Sequence, residues 1–275
     1  DLPTRKSVSR TSLGCIHAEP IQFRVASGGP DGGSHVRLPD GQVDLVVRFS
    51  SIHAIGTRLS ALRKPADLVP PRTLIVRFKP GGAYPFFGVP MSELTDRVVP
   101  LDSLWGGDCR RLCERLAEAP TVAARVDIVE EALTKRLQDG EVFEPASAYL
   151  VRRAVRLVTQ APELPRVDAL ARALDISTRH LRRAFEEVVG LGPKEFARLV
   201  RFQRAVRAWR RATTSDWGAI AVATGYYDQS HLITEFKALT GATPRALLRS
   251  GPRADTQAST PSLPILVTEG AQALE

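Results

Sequence analysis

The stretch that decides the fold is Ser177-Thr178-Arg179-His180-Leu181-Arg182-Arg183-Ala184-Phe185, because the chain writes it again as Asp228-Gln229-Ser230-His231-Leu232-Ile233-Thr234-Glu235-Phe236. Histidine, leucine and phenylalanine recur 51 positions on, and the same offset carries Gly190 onto Gly241 and Pro193 onto Pro244. Upstream, Leu170 and Ala171 return as Ile220 and Ala221 at an offset of 50, so the second copy holds one more residue in its turn. Self-similarity at a fixed period means one small structural unit used twice. In each copy a short helical run (Val167–Leu174, then Trp217–Thr224) meets a tight turn (Asp175-Ile176, then Gly225-Tyr226-Tyr227). Ser177 and Asp228 follow, and their side-chain oxygens can accept from the free amides of a helix's first turn. Leu181 with Phe185, and Leu232 with Phe236, stand four apart and turn one face of each second helix inward. Each copy then reaches a glycine suited to a left-handed cap. Helix, short turn, second helix with a polar outer face is the helix-turn-helix pattern.

Between the copies, Pro193–Arg211 carries one apolar stripe, Phe196, Leu199, Phe202, Val206 and Trp209, with Arg198, Arg201, Arg204, Arg207 and Arg210 around it. A helix of that length rises about 28 Å, close to the ~34 Å between successive major-groove faces of a duplex. It could set two reading helices one turn apart. The plain alternative for each arginine is a solvated helix face.

Leu170-Ala171, Asp175-Ile176-Ser177, Leu181, Arg183 and Phe185, then Gly192-Pro193, resemble the DNA-binding domain of AraC/XylS-family transcription regulators. So do Trp217, Ile220-Ala221, Gly225-Tyr226, Asp228-Gln229-Ser230-His231-Leu232, Phe236, Gly241 and Thr243-Pro244. The likeness covers about 105 of the 275 residues. It implies DNA contacts from Thr178, Arg179, Arg182 and Arg183 in the first reading helix. In the second it implies Gln229, Ser230, Ile233 and Thr234. Thr234 stands where many members carry arginine, and Glu235 follows it, so a missing cation and an added anion near phosphates are expected to weaken the second contact. In the N-terminal half, Leu38-Pro39-Asp40-Gly41, Arg77-Phe78-Lys79-Pro80-Gly81-Gly82, Gly88-Val89-Pro90, Glu93-Leu94 and Val98 through Leu101 resemble a domain found ahead of such DNA-binding domains. There it is taken as a sensor or dimerisation module.

Charge follows the same division. Residues 146–250 hold 18 Lys and Arg against 9 Asp and Glu, a net +9, while the whole chain carries +8. All the excess positive charge therefore lies with the repeat, as expected of a surface that displaces counterions from phosphates. The composition, 43% hydrophobic and 25% charged, is that of a soluble globular chain. No run of 18 apolar residues could span a membrane, and no apolar stretch follows the polar Asp1–Arg10, so no signal peptide is expected. Three cysteines argue against a disulfide framework and for a reducing compartment, here the cytoplasm.

The expected fold is multidomain α+β. Residues 1–145 form a β-rich N-terminal domain with a helical extension. Residues 146–250 form an all-α domain with two helix-turn-helix motifs joined by a long helix, and 251–275 a disordered tail. Strands are expected at Ile21–Ala26, at Val43–Phe49 with alternating faces, at Thr73–Phe78 and at Tyr84–Val89. Helices are expected over Leu104–Ala117, Val122–Leu137 and Ala148–Gln160.

No catalytic residue, metal or cofactor is expected. The Ser27–Gly33 loop is glycine-rich but lacks the lysine and helix of a phosphate-binding loop, and His17, His35 and His53 share no ligand-like spacing. Cys109 and Cys113 lie one helical turn apart. They read as ordinary helix cysteines, with a thiol sensor or a methyl-accepting or metal site as alternatives. The repair-enzyme reading needs a later cysteine pair, and no cysteine follows Cys113. The function expected is a sequence-specific transcription regulator reading two successive major-groove segments, and not an enzyme. The alternative is a small-molecule- or partner-binding module with a degenerate DNA-binding domain. Expected partners are double-stranded DNA, then RNA polymerase, a small-molecule effector bound among the strands, and a second copy of the chain as a homodimer.

Overall fold

A computed structural model describes residues 21–26, 35–48, 51–64, 73–139, 144–212 and 216–249. His17, the 27–33 loop, Phe49 and the tail from 251 onward lie outside the described residues. The fold is α+β in two parts, a strand-rich N-terminal half and a helical C-terminal half. No helix among the described residues is long and apolar enough to cross a membrane.

The N-terminal half holds β1 (Ile21–Ala26), β2 (His35–Arg37), β3 (Val43–Val47), β4 (Ile52–Ile55), β5 (Leu62–Lys64), β6 (Thr73–Phe78) and β7 (Val98–Pro100). Five of them form an antiparallel sheet in the order β1-β6-β3-β4-β7, and β2 pairs with β5 apart from it. The alternation expected along Val43–Phe49 does not appear: all five residues of β3 are buried. The strand is central, and its polar face is covered by charge rather than by water. Asp44 faces Arg77 across the β3–β6 ladder. Arg77 donates from Nε and Nη2 to the two oxygens of Asp44 at 2.9 and 3.0 Å, and Arg37 Nε lies 3.3 Å from Asp44 Oδ2. Asp40 joins this group, its carboxyl pushed up by burial against the pull of Arg37 and Arg77.

Tyr84–Val89 is not a strand. It begins with a one-turn helix, α1 (Tyr84–Phe87), with Pro85 in its first turn and Gly88 in the left-handed conformation at its end. Proline lacks an N–H and presets φ for the start of a helix, so an aromatic run that reads as a strand coils instead. Phe86, tilted, and Phe87, edge-on, then pack against Phe78 with ring centroids at 4.9 and 5.5 Å. The helix expected from Leu104 to Ala117 is two, α2 (Asp102–Trp105) and α3 (Gly107–Glu118), broken where Gly106 takes φ 52°. Next comes α4 (Val122–Gln138), capped by Thr121. Trp105 Nε1 donates to the Phe86 carbonyl at 2.8 Å, and the Arg136 guanidinium covers the Trp105 ring at 4.8 Å. The inner face of the sheet, Leu45, Val47, Val76 and Phe78, is filled by Phe86, Phe87, Met91 and Trp105.

The C-terminal half runs α5 (Ala148–Gln160), α6 (Val167–Ala173), α7 (Thr178–Val188), α8 (Pro193–Arg211), α9 (Trp217–Ala223), α10 (Gln229–Thr240) and α11 (Pro244–Arg249). Helix α8 is shared between two cores. Phe196 and Val200 join the residues of α5, α6 and α7, whereas Leu199, Phe202 and Val206 join those of α9 and α10. Leu38 from the N-terminal half enters the second core and is 2% exposed. A fragment of residues 146–250 would therefore lack one of that core's side chains.

Candidate nucleic-acid interface

The two copies fold by the same hydrogen bonds. Ser177 Oγ accepts from the His180 N–H at 3.1 Å, and Asp228 Oδ1 accepts from the His231 N–H at 2.7 Å, capping α7 and α10. In the turns, the Ile176 N–H donates to the Ala171 carbonyl at 3.1 Å and the Tyr226 N–H to the Ala221 carbonyl at 2.9 Å. Each second helix closes on a left-handed glycine, Gly190 at φ 86° and Gly241 at φ 71°. The repeat seen in residue types is thus a repeat in backbone geometry.

On α7, Thr178, Arg179, Arg182 and Arg183 are all exposed, while Leu181 and Phe185 are buried. None of the three arginines is held by an ion pair or hydrogen bond among the described residues. They form a free cationic face. On α10, Gln229, Ser230 and Thr234 are exposed. Ile233 is only half-exposed and packs against the second core, so its apolar side chain is largely taken up there. Gln229, Ser230 and Thr234 carry no charge, and Lys237 follows in the last turn.

Glu235 does not face the solvent beside Thr234 as the sequence suggests. It is 8% exposed, accepts from the Tyr226 hydroxyl on Oε1 at 3.0 Å, and receives Arg201 Nη2 on Oε2 at 3.0 Å, with Arg198 Nε 3.5 Å away. Arg201 also covers the Tyr226 ring at 4.8 Å. Burial, and then the Glu235 carboxylate, push the Tyr226 phenol up. The carboxylate is therefore a joint between α10 and α8, and the anion expected near phosphates is absent from that face. Its register was available: an offset of 51 lays Glu235 on Ala184, a buried residue of α7.

Arg204 is likewise not a solvated arginine. Its guanidinium donates to the carbonyls of Val158, Ala161 and Pro162 at 3.2, 2.6 and 2.8 Å, closing the end of α5. Helix ends leave carbonyls without intrahelical partners, and a half-buried arginine with several donors suits that task. Nothing in the spacing of the α8 arginines distinguished Arg204 from its neighbours.

Cys109 is buried in α3, and burial first, then Cys113 one turn along, push its thiol up to about 12. Since the thiolate is the nucleophile, this is an unreactive setting. His53 lies half-buried in β4, and among the described residues no cluster of three His, Cys, Asp or Glu is arranged to hold a metal.

Residues 170–250 match a helix-turn-helix domain family, and residues 23–100 match a domain of unknown function, DUF6597. Among solved structures the chain is similar to ToxT from Vibrio cholerae. An apo lysine-to-alanine variant of ToxT shares 13% identity over 85% of this chain and 98% of its own, with a TM-score of 0.40. ToxT bound to an unsaturated fatty acid shares 11% identity over 82% of this chain and 90% of its own, with a TM-score of 0.37. No curated protein sequence matches the chain.

Proposed function

We propose that the chain is a DNA-binding regulator of the AraC/XylS type, on the strength of the helix-turn-helix match over residues 170–250, and that it reads two successive major-groove segments. Helix α7 enters one, α10 the next, and α8 is the spacer; residues 146–250 act as the reading domain and 1–145 as its partner domain. One observation carries this reading. Two units with matching hydrogen bonds pack their second helices against one 19-residue helix, Phe185 of α7 on Phe196 and Phe236 of α10 on Phe202, with the polar faces outward. That helix rises about 28 Å, near the ~34 Å of one duplex turn. Thr178, Arg179, Arg182 and Arg183 supply the stronger contact, because arginine can donate twice to guanine O6 and N7. Gln229, Ser230 and Thr234 supply neutral donors and acceptors, and Ile233 only the part of its side chain that the second core leaves exposed.

Selection of duplexes from a randomised library, followed by footprinting, tests it. Two protected segments on one side of the duplex, about 10–10.5 base pairs apart, are expected. A single protected segment would remove α10 from the reading.

The outward faces of α3 and α4 favour self-association as a further property. Arg110 is exposed on α3 and Asp127 on α4, whereas Arg111 and Arg115 already pair with Asp108 and Glu131 within the chain. A two-fold axis could pair α3 of one copy with α4 of the other, since a self-complementary patch is what such symmetry requires. Sedimentation of the intact chain with and without selected DNA decides this, and a strict monomer at tens of micromolar overturns it.

A further inference from the structure

The carbonyl ends of the two reading helices are held by the N-terminal half. Thr57, which is fully buried, donates from Oγ1 to the Val189 carbonyl at 2.8 Å. Thr95 donates from Oγ1 to the Gly190 carbonyl at 2.6 Å. Both carbonyls belong to the cap of α7. Four residues past Thr57, the Ala61 N–H donates to the Leu239 carbonyl, in the last turn of α10, at 2.7 Å. Terminal helix carbonyls find no partner within their own helix, so they are the natural handles by which another part of a protein can grip it.

The gripping loop is itself braced. Asp96, at φ 56°, donates its N–H to the Thr57 carbonyl at 2.9 Å and accepts the Leu59 N–H on Oδ1 at 3.1 Å. Arg58 Nη1 donates to the Asp96 carbonyl at 2.9 Å. The approach at α7 is close enough to require glycine: a Cβ on Gly190 would fall 2.6 Å from Thr95 Oγ1 and 2.8 Å from the Met91 carbonyl oxygen. A second brace reaches the middle of α8. Gln203 Nε2 donates to the Pro39 carbonyl at 2.7 Å, Leu38 enters the second core, and Gly41 lies against the Phe196 ring. The loop from Thr57 to Ala61 spans at most about 14 Å when extended, so it fixes how far apart the two helix ends can be.

We infer that Thr57 and Thr95, together with the Ala61 amide, are positioning residues that set the relative placement of α7 and α10. Through them the N-terminal domain determines which spacing between the two DNA segments is accepted. The inference rests on the two-segment reading proposed above. DNA contact stays with the outward side chains, and the threonines act only through the helix ends.

The test uses the full-length chain and the duplex it selects from a randomised library. Binding is compared on that duplex and on versions with one base pair added or removed between the segments. One added pair displaces the second segment by about 3.4 Å along the strand. The parent is expected to lose tenfold or more on the altered spacings, on the order of the loss from one mismatched pair. The Thr57→Val/Thr95→Val double variant, close in shape but without the donors, is expected to narrow that penalty to threefold or less, with its salt dependence unchanged. The Thr57→Ser/Thr95→Ser variant keeps the donors and should restore the penalty. If the double valine variant does not fold, Thr95→Val alone, at a half-buried position, serves in its place with the same expected direction. A folded valine variant that keeps the parent's penalty overturns the inference. A parent with no spacing penalty overturns the two-segment reading instead, and so separates the two failures.

Discussion

The two copies of the repeat present their second helices in the same way and fasten them by different chemistry. In the first copy the joint is apolar: Ala184 is 3% exposed, Ile176 packs against the same core, and Phe185 meets Phe196 of α8 at 5.8 Å. The equivalent positions of the second copy are Glu235 and Tyr226, bonded to each other and to Arg201 of α8, next to a Phe202–Phe236 contact at 4.8 Å. Outside, the balance reverses. Helix α7 shows three unpaired arginines, and α10 shows Gln229, Ser230 and Thr234. One copy turns its charge outward and the other turns it into the protein, so on the reading proposed above the same scaffold would yield one strong contact and one weak one.

Removing the outward charge should give the largest effect. Arg179→Ala, Arg182→Ala and Arg183→Ala are each expected to weaken binding to the selected duplex, by about 1–3 kcal/mol where the arginine is bidentate to guanine. The triple variant should retain only non-specific affinity. Gln229→Ala and Ser230→Ala should cost less than any of them. Fluorescence anisotropy at fixed salt ranks the set, and a larger loss from α10 than from α7 would reverse the comparison.

The inward charge is tested next. Glu235→Ala gives the second copy the residue of the first, but it leaves the Arg201 guanidinium and the Tyr226 hydroxyl without their acceptor in a largely buried place. An unsatisfied buried polar group costs about 1–3 kcal/mol, so urea denaturation should show a loss of that order. DNA affinity of the folded variant should not rise. A variant of unchanged stability that binds DNA more tightly would return Glu235 to the phosphate-facing role that its sequence neighbours suggest.

Base substitution probes the same asymmetry from the DNA side. Changes under α7 should cost about 1–3 kcal/mol each, the range for a mismatched pair in a specific site, and changes under α10 distinctly less. Equal penalties across the two segments would mean that Gln229 and Ser230 discriminate as well as three arginines.

Legibility differed between the halves for a physical reason. The C-terminal signals are local: a Ser or Asp cap, a proline at the first turn, a stripe at helical spacing. These place α8 at Pro193–Arg211 and α5 at Ala148–Gln160 as the periodicity does. The N-terminal half depends on distant pairing. Strands such as β4 and β7 are three or four residues long, and only their neighbours in the sheet make them strands. Tyr84–Val89 looked extended because its aromatics favour strands, yet Pro85 and Gly88 decided otherwise. The outward arginines of α7 could be read from period alone. The direction of Glu235 needed its register with Ala184, and the grip of Thr57 on Val189 spans 132 residues, beyond any local pattern. Leu38-Pro39-Asp40-Gly41 and Gly81-Gly82 were visible as motifs, but their place against α8, α5 and α7 appears only in the fold.

The smallest expected effect is a titration that the first copy cannot have, since Ile176 stands where the second copy has Tyr226. In the folded chain the Tyr226 phenol is pushed above its ordinary value, first by burial and then by the Glu235 carboxylate that accepts its proton. An unfolded phenol loses that proton near pH 10, whereas the folded one retains it to higher pH. The unfolded state therefore gives up a proton first, and stability falls with pH wherever that is so. The contribution of Tyr226 should be complete below about pH 10 and lost as the pH rises through the folded value. Tyr226→Phe removes both the hydrogen bond and the titration. At pH 8 it should be less stable than the parent by about 1 kcal/mol, the usual net worth of one hydrogen bond. Above pH 10 the parent should fall toward the variant, while groups common to both cancel. Denaturant midpoints for the two chains between pH 8 and 11 decide it. A gap that stays constant across that range would mean the phenol does not donate its hydrogen bond to Glu235, and the charged joint of the second copy would then rest on Arg201 and Arg198.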